Sequence, residues 1–258
     1  MRDIELIYNP RDGAMKVAVL VSGSGTNFSA IHDEQLRLKR LGETHYGNVG
    51  VVFTNVPNCD GADKAKDVGV PVVSLSSKSY FEILNRNPDD DGLRDYYDAA
   101  TISLIEGVCK PDIVVLAGYR RRVGGLFLSH YRNRVVNLFP GDITKRYLVR
   151  GVDASIQALR AGESNIKCTV YLENDGERFG RSIVQSKPIS LEGYEEREAG
   201  KMQEKIRKQG EWRIYPFAVH QLIAKGRLGI DEKYNLYMDG KRMPERGYQF
   251  KDADLNKT

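Results

Sequence analysis

Residues 16–27 read Lys-Val-Ala-Val-Leu-Val-Ser-Gly-Ser-Gly-Thr-Asn, KVAVLVSGSGTN. Val17 to Val21 is an unbroken apolar run rich in β-branched residues. Ser-Gly-Ser-Gly ends it, so it reads as a buried strand meeting a tight turn. Helix-competent sequence follows from Phe28 to about Leu41. Strand, glycine-rich turn and helix form the first half of a βαβ unit. Gly23 and Gly25 lack Cβ, which lets the backbone turn sharply and approach a ligand closely. The free N–H groups of the following helix suit an anion, usually a phosphate. Alone the turn decides nothing, because many such turns bind no ligand.

Outward from that stretch the alternation continues. Val49 to Phe53 is a second strand, Ala62 to Val68 a short helix and Val70 to Val73 a third strand. Residues 85–92, NRNPDDDG, form a polar loop without the ligand spacing of a calcium site. Leu93 to Val108 has helical periodicity. Asp112 to Ala117 is the fourth strand and Arg134 to Leu138 the fifth. Strands alternating with helices predict an α/β fold with a doubly wound, mostly parallel sheet. Phe139 to Val152 is an irregular loop leaving a strand's C-terminal end, the edge where ligands sit in such sheets. Asp153 is an N-cap for a helix through Ala161. Lys167 to Leu172 and Ser182 to Ile189 flank a polar loop and predict antiparallel late strands closing the sheet. Two helices follow, Glu195 to Lys208 and Tyr215 to Lys225. Tyr234 to Met243 is a C-terminal hairpin with an Asp-Gly turn. Ile4 to Tyr8 reads as an added edge strand. The boundaries this suggests are an extension over 1–15, a single domain over 16–250 and a flexible tail over 251–258.

Composition narrows the function classes. Of 258 residues, 41% are hydrophobic and 29% charged, an ordinary globular balance with ample core. No apolar run approaches the roughly 18 residues of a membrane span, and the N-terminus has no signal-like apolar segment. Cys59, Cys109 and Cys168 match no zinc or redox spacing, which favours a reducing, cytoplasmic setting. A net charge of +4 is too mild to imply nucleic acid and agrees with a phosphorylated small ligand. No metal, nucleic acid or membrane is expected, and a homodimer is compatible with the reading.

The chain resembles the phosphoribosylglycinamide (glycinamide ribonucleotide) formyltransferase family of purine biosynthesis. The stretches that carry the likeness are KVAVLVSGSGTNFSAI, PDIVVLAGYRRRVGGLF, RVVNLFPGD, QALRAGE with CTVYLENDGERFG, RIYPFAVHQLIAKGRL and LYMDGKRMPERGY. They lie in family order from Lys16 to Tyr248. The resemblance implies a Rossmann-like formyltransferase fold and a formyl group moved from 10-formyltetrahydrofolate, as cosubstrate, to the amine of glycinamide ribonucleotide. It further implies that Ser24, Gly25, Thr26 and Asn27 hold the substrate phosphate. Pro140 and Glu211 would also contact the ribonucleotide. Tyr119, Arg121, Val123, Leu172 and Arg178 would line the folate site.

The family's catalytic motif is broken. Formyl transfer needs a donor aimed at the developing oxyanion and a group that carries a proton. The family supplies both from an N-x-H-P motif and charges its histidine with a late-loop aspartate. Here Asn137 is kept as the catalytic candidate, but Phe139 stands in the histidine's place and Arg178 in the aspartate's. Asp175 or Glu177 is a stand-in if the alignment slips by a residue or so. Phe139 is either an apolar plug or a ring that stacks on a ligand. One of Arg120, Arg121 and Arg122 could meet an anion, or all three could face solvent. His32, His45, His130 and His220 read as surface residues, and Trp212 as packing. Asp142 and Asp153 are either bases or polar loop residues. Three readings stay open: the family's own reaction with a degraded motif, altered chemistry on the same fold, and a non-catalytic binder of a phosphorylated metabolite.

Overall fold

A computed structural model describes residues 4–86, 91–146, 153–175 and 179–256. Strand β1 is Glu5–Leu6, β2 Met15–Val21, β3 Gly47–Thr54, β4 Val72–Ser74, β5 Ile113–Leu116, β6 Val135–Phe139 and β7 Asn165–Ile166. Then come β8 Thr169–Leu172, β9 Arg181–Gln185, β10 Ile189–Ser190, β11 Leu228–Ile230, β12 Leu236–Met238, β13 Lys241–Arg242 and β14 Tyr248–Gln249. The helices are α1 Thr26–Arg40, α2 Asp60–Asp67, α3 Ser77–Ile83, α4 Asp91–Glu106, α5 Gly125–His130, α6 Ala154–Arg160, α7 Ala199–Ile206 and α8 Trp212–Pro216.

The main sheet has the order β14-β9-β8-β6-β5-β2-β3-β4. Strands β4, β3, β2, β5 and β6 run parallel. Strand β8 pairs antiparallel with β6 and with β9. Strand β2 sits at its centre because both its faces are apolar. Val17, Val19 and Val21 enter one core, while Ala18 and Leu20 enter the other. That period-2 division needs helices on both faces, which makes the sheet doubly wound. After β2 the chain builds outward to β3 and β4, then returns to β5 on the other side of β2. The switch point lies between the C-terminal ends of β2 and β5, where open α/β sheets bind ligands.

Several sequence expectations change. The pair β8 and β9 does not close the sheet, because β14 adds parallel to β9 as the edge strand. Strand β1 joins a separate four-stranded sheet with β11, β12 and β13 rather than the main one. The Asp-Gly hairpin turn forms as read, with Asp239 and Gly240 both at positive φ. The two expected late helices are one continuous run from Glu196 to Ile223. Wide π turns at Arg207–Glu211 and Phe217–Ile223 flank Pro216, whose missing N–H they accommodate, so the helix continues instead of ending. Gly210 serves contact here rather than breakage: a Cβ there would lie 2.5 Å from Cys168 Sγ. Within the expected tail, residues 251–253 are exposed, while Asp254 is buried and accepts from the Tyr248 hydroxyl. Among the described residues no helix is long and apolar enough to cross a membrane.

Candidate active site

The turn after β2 is built tightly. Gly25 caps α1 in the left-handed region, φ 66°, and a Cβ there would stand 2.4 Å from Gly61 Cα. Gly61 N donates to Gly23 O at 2.8 Å, which seats the turn on the start of α2. Thr26 and Asn27 are the first residues of α1, so the helix opens from this turn with its N–H groups outward. Two cations border it. Lys64 Nζ donates to Ser24 O at 2.7 Å. Arg120, exposed, has its guanidinium beside Gly23, and its backbone N donates to Ser22 Oγ at 2.9 Å. Lys64 was missed in the sequence because it comes from α2, and only the packing of α2 on the turn brings it there.

Asn27 Nδ2 donates to Glu211 Oε2 at 2.8 Å, across 184 positions of chain. Both are buried, and burial pushes the Glu211 carboxyl up from its ordinary range against the Asn27 hydrogen bond. Asn27 Oδ1 is buried with no hydrogen-bond partner among the described residues. Four of the residues expected at the substrate, Gly25, Thr26, Asn27 and Glu211, thus sit on one constellation. Trp212 lines a groove of about 760 Å³ with Thr26 and Lys64 along the outer side of α1.

Next to this lies the end of β6. Asn137 is held on three sides. Its Nδ2 donates to Tyr171 Oη at 3.0 Å and to Glu173 Oε1 at 2.6 Å, and its Oδ1 accepts from Leu138 N at 2.7 Å. Tyr171 Oη also donates to Glu173 Oε1 at 3.1 Å. Asn137 and Tyr171 are direct cross-strand partners, and Glu173, two residues on, faces the same way. Glu173 N donates to Val135 O at 2.9 Å, which fixes its backbone beyond the strand end. Neither Tyr171 nor Glu173 was singled out from the sequence. The alternation Val170-Tyr171-Leu172-Glu173 carries the signal, but only the β6–β8 register aims it at Asn137. Tyr215 of the Ile-Tyr-Pro segment donates near Leu116 O and Val136 O, at 3.2 and 3.0 Å, and ties β5 to β6 from below.

Phe139 packs on Phe179, ring centroids 4.8 Å apart, and Phe179 in turn meets Tyr171. Pro140 follows, half-buried. The residues expected at folate do not share one cavity through their side chains. Arg121 lies between Phe81 and Tyr97, 4.5 Å from each ring. Tyr119 packs edge-on to Phe53, and Val123 is buried in the same core. Leu172 is buried in the core on the other face of the sheet. Arg178 and Glu177 fall outside the described residues, and Asp175 lies against Gly125.

Other expectations are corrected. His32 and His220 are not surface residues but buried. His220 accepts from Gly47 N and donates from Nε2 to Ile31 O, so it is neutral, and burial pushes its pKa down to about 4. Asp142 is buried rather than solvated. Burial raises its carboxyl, but hydrogen bonds from Thr144 and Gln185 outweigh this and hold it below its ordinary range. Asp153 caps α6 as read, accepting from Ser155 N and Ile156 N. Among the described residues no group of His, Cys, Asp and Glu could hold a metal ion.

Residues 15–219 match the formyl transferase family model. The chain belongs to the formyl transferase family. It is 30% identical over 234 residues to the phosphoribosylglycinamide formyltransferase of Escherichia coli, covering 91% of this chain and 98% of that protein. The Haemophilus influenzae enzyme of that name is likewise 30% identical over 240 residues, covering 90% of this chain and 98% of its own length. Among solved structures, glycinamide ribonucleotide transformylase 1 of Symbiobacterium toebii superposes with a TM-score of 0.69 at 29% identity, over 87% of this chain and 94% of that one. The phosphoribosylglycinamide formyltransferase of Coxiella burnetii reaches 0.74 at 24% identity, over 92% and 100%, and shares the fold. This formyl transferase therefore shares the mostly parallel sheet of its structural relatives.

Proposed function

We propose that this chain transfers a formyl group from 10-formyltetrahydrofolate to the amine of glycinamide ribonucleotide, at a rate well below that of relatives with an intact motif. The observation that carries the reading is the buried Asn27–Glu211 pair. It joins the first turn of α1 to the long C-terminal helix, whose Tyr215, four residues on, hydrogen-bonds to Val136 O, one residue before Asn137. The ribonucleotide phosphate would meet the free N–H groups of α1, with Lys64 and Arg120 balancing its charge. Glu211 would accept from a ribose hydroxyl. Ser24, Thr26 and Pro140 would complete the substrate side, and the backbone of the segment from Tyr119 to Val123, rather than its side chains, would supply the folate side.

The chemistry follows from what the residues can do. The amine attacks the formyl carbon, and the carbonyl oxygen gains negative charge that an Asn137 N–H can meet. Such a donor is worth about 10²–10³ in rate. Phe139 neither accepts nor donates a proton, so the term supplied elsewhere by histidine, about 10²–10⁴, is missing at that position. Positioning of the two substrates survives this loss. A second reading, a binder without turnover, is favoured by one observation: both Asn137 amide hydrogens are already committed to Tyr171 and Glu173.

The test is purified protein with glycinamide ribonucleotide, 10-formyltetrahydrofolate and both together. The expected result is a thermal shift with the ribonucleotide and turnover 10²–10⁴-fold slower than the E. coli relative. A shift without turnover would select the binder. No shift with either ligand would overturn the proposal.

A further inference from the structure

We infer that Glu173 is the proton acceptor of this site and that Tyr171 positions it; the inference rests on the formyl-transfer reading above. The chain lacks a histidine at Phe139, yet a carboxylate stands 2.6 Å from the Asn137 amide. No other carboxylate among the described residues makes contact with Asn137. The register makes this arrangement exact in direction: Asn137 opposes Tyr171, and Glu173 lies on the same face two residues further. Glu173 is half-buried and backbone-anchored through Val135 O, so its reach is limited to this strand end. Tyr171 is buried, and its hydroxyl accepts from Asn137 while donating to Glu173. Each of the three groups hydrogen-bonds to the other two, which orients the carboxylate toward Asn137.

The step balances without a further reactant. The amine lone pair forms a bond to the formyl carbon, and the carbonyl electron pair moves to oxygen. The nitrogen's proton passes to a Glu173 oxygen. The electron pair then returns, the bond from the formyl carbon to the donor nitrogen breaks, and the proton is delivered to that nitrogen. Proton uptake also neutralises Glu173, which weakens its hold on the Asn137 amide. The Asn137 N–H is thereby released toward the formyl oxygen as that oxygen becomes the stronger acceptor. One carboxylate thus couples the proton acceptor to the oxyanion donor that the family divides between other groups.

The experiment compares the wild type with Glu173→Gln, Glu173→Ala, Glu173→Asp and Tyr171→Phe in the formyl-transfer assay, with thermal shifts by the ribonucleotide as the binding readout. Glu173→Gln should keep the ribonucleotide shift and lose about 10²-fold in kcat, with KM changed less than threefold. Formate should restore part of the Glu173→Ala rate, which a purely structural role would not allow. Glu173→Asp should keep more activity than Glu173→Gln, and Tyr171→Phe should lower kcat about tenfold and respond to no added carboxylate. If the Gln variant fails to fold, the formate rescue of the Ala variant decides. A wild type that turns over while Glu173→Gln is unimpaired would overturn this inference and leave the function standing. A wild type that neither binds nor turns over would overturn the function and the inference with it.

Discussion

Asp98 lies on α4 under the loop that follows β5, 2% exposed, and accepts from Gly124 N at 2.6 Å. Burial is the largest influence on it and raises its pKa to about 6 from 3.8; the Gly124 hydrogen bond and the Arg121 charge only partly oppose this. The folded pKa is above the unfolded one. The folded protein therefore holds this proton more tightly, and stability is lost as pH rises through that interval. At about 1.4 kcal/mol per pH unit, the interval corresponds to roughly 3 kcal/mol between pH 4 and pH 6. Asp98→Asn keeps the carbonyl acceptor for Gly124 and removes the titration. The variant should match the wild type near pH 4 and exceed it by about 3 kcal/mol at pH 7. The assay is urea unfolding of both proteins at half-unit steps from pH 4 to pH 7.5. A difference that stays flat over this range, or that grows toward acid, would refute the reasoning.

Further predictions concern the core and the site. His220, neutral with its pKa near 4, should cost the protein about 3 kcal/mol as pH falls from 6.5 to 4, the reverse of the Asp98 slope. His220→Gln should be less stable than wild type at pH 7 by about 1–3 kcal/mol and lose less on acidification, as read by the same titration. Gly25→Ala forces a side chain into the left-handed region against the Gly61 backbone. It should cost at least about 1–2 kcal/mol in urea unfolding and abolish the ribonucleotide thermal shift. Phe139→His alone should raise turnover less than tenfold, since the family resemblance puts Arg178 where a carboxylate would charge the histidine. Phe139→His with Arg178→Asp should exceed the product of the single effects in a double-mutant cycle. Additive single effects would show that the two positions do not act together.

The residues of β2 and its turn were enough to declare the architecture. A run of five apolar residues, Val17 to Val21, buried on both faces, ended by a glycine-rich turn and followed by a helix, has few alternatives. Local chemistry likewise declared the Asp239-Gly240 hairpin turn and the Asp153 cap, because each depends on residues within a few positions of itself. The family resemblance rests on such local motifs too. Where contacts are distant in sequence the reading stopped. Period-2 alternation says which residues share a face of a strand, but not which residue of the neighbour lies opposite. The pairing of Asn137 with Tyr171, and with it the place of Glu173, was decided by the packing of β6 on β8. The stretch between Lys208 and Tyr215, with Gly210 in it, reads locally as a break, yet the close approach to Cys168 and the wide turns let one helix run through it. His32 and His220 read locally as polar surface. They are buried because α1 and the C-terminal helix cover them, and His220 finds a backbone donor and acceptor on two other elements to satisfy its ring.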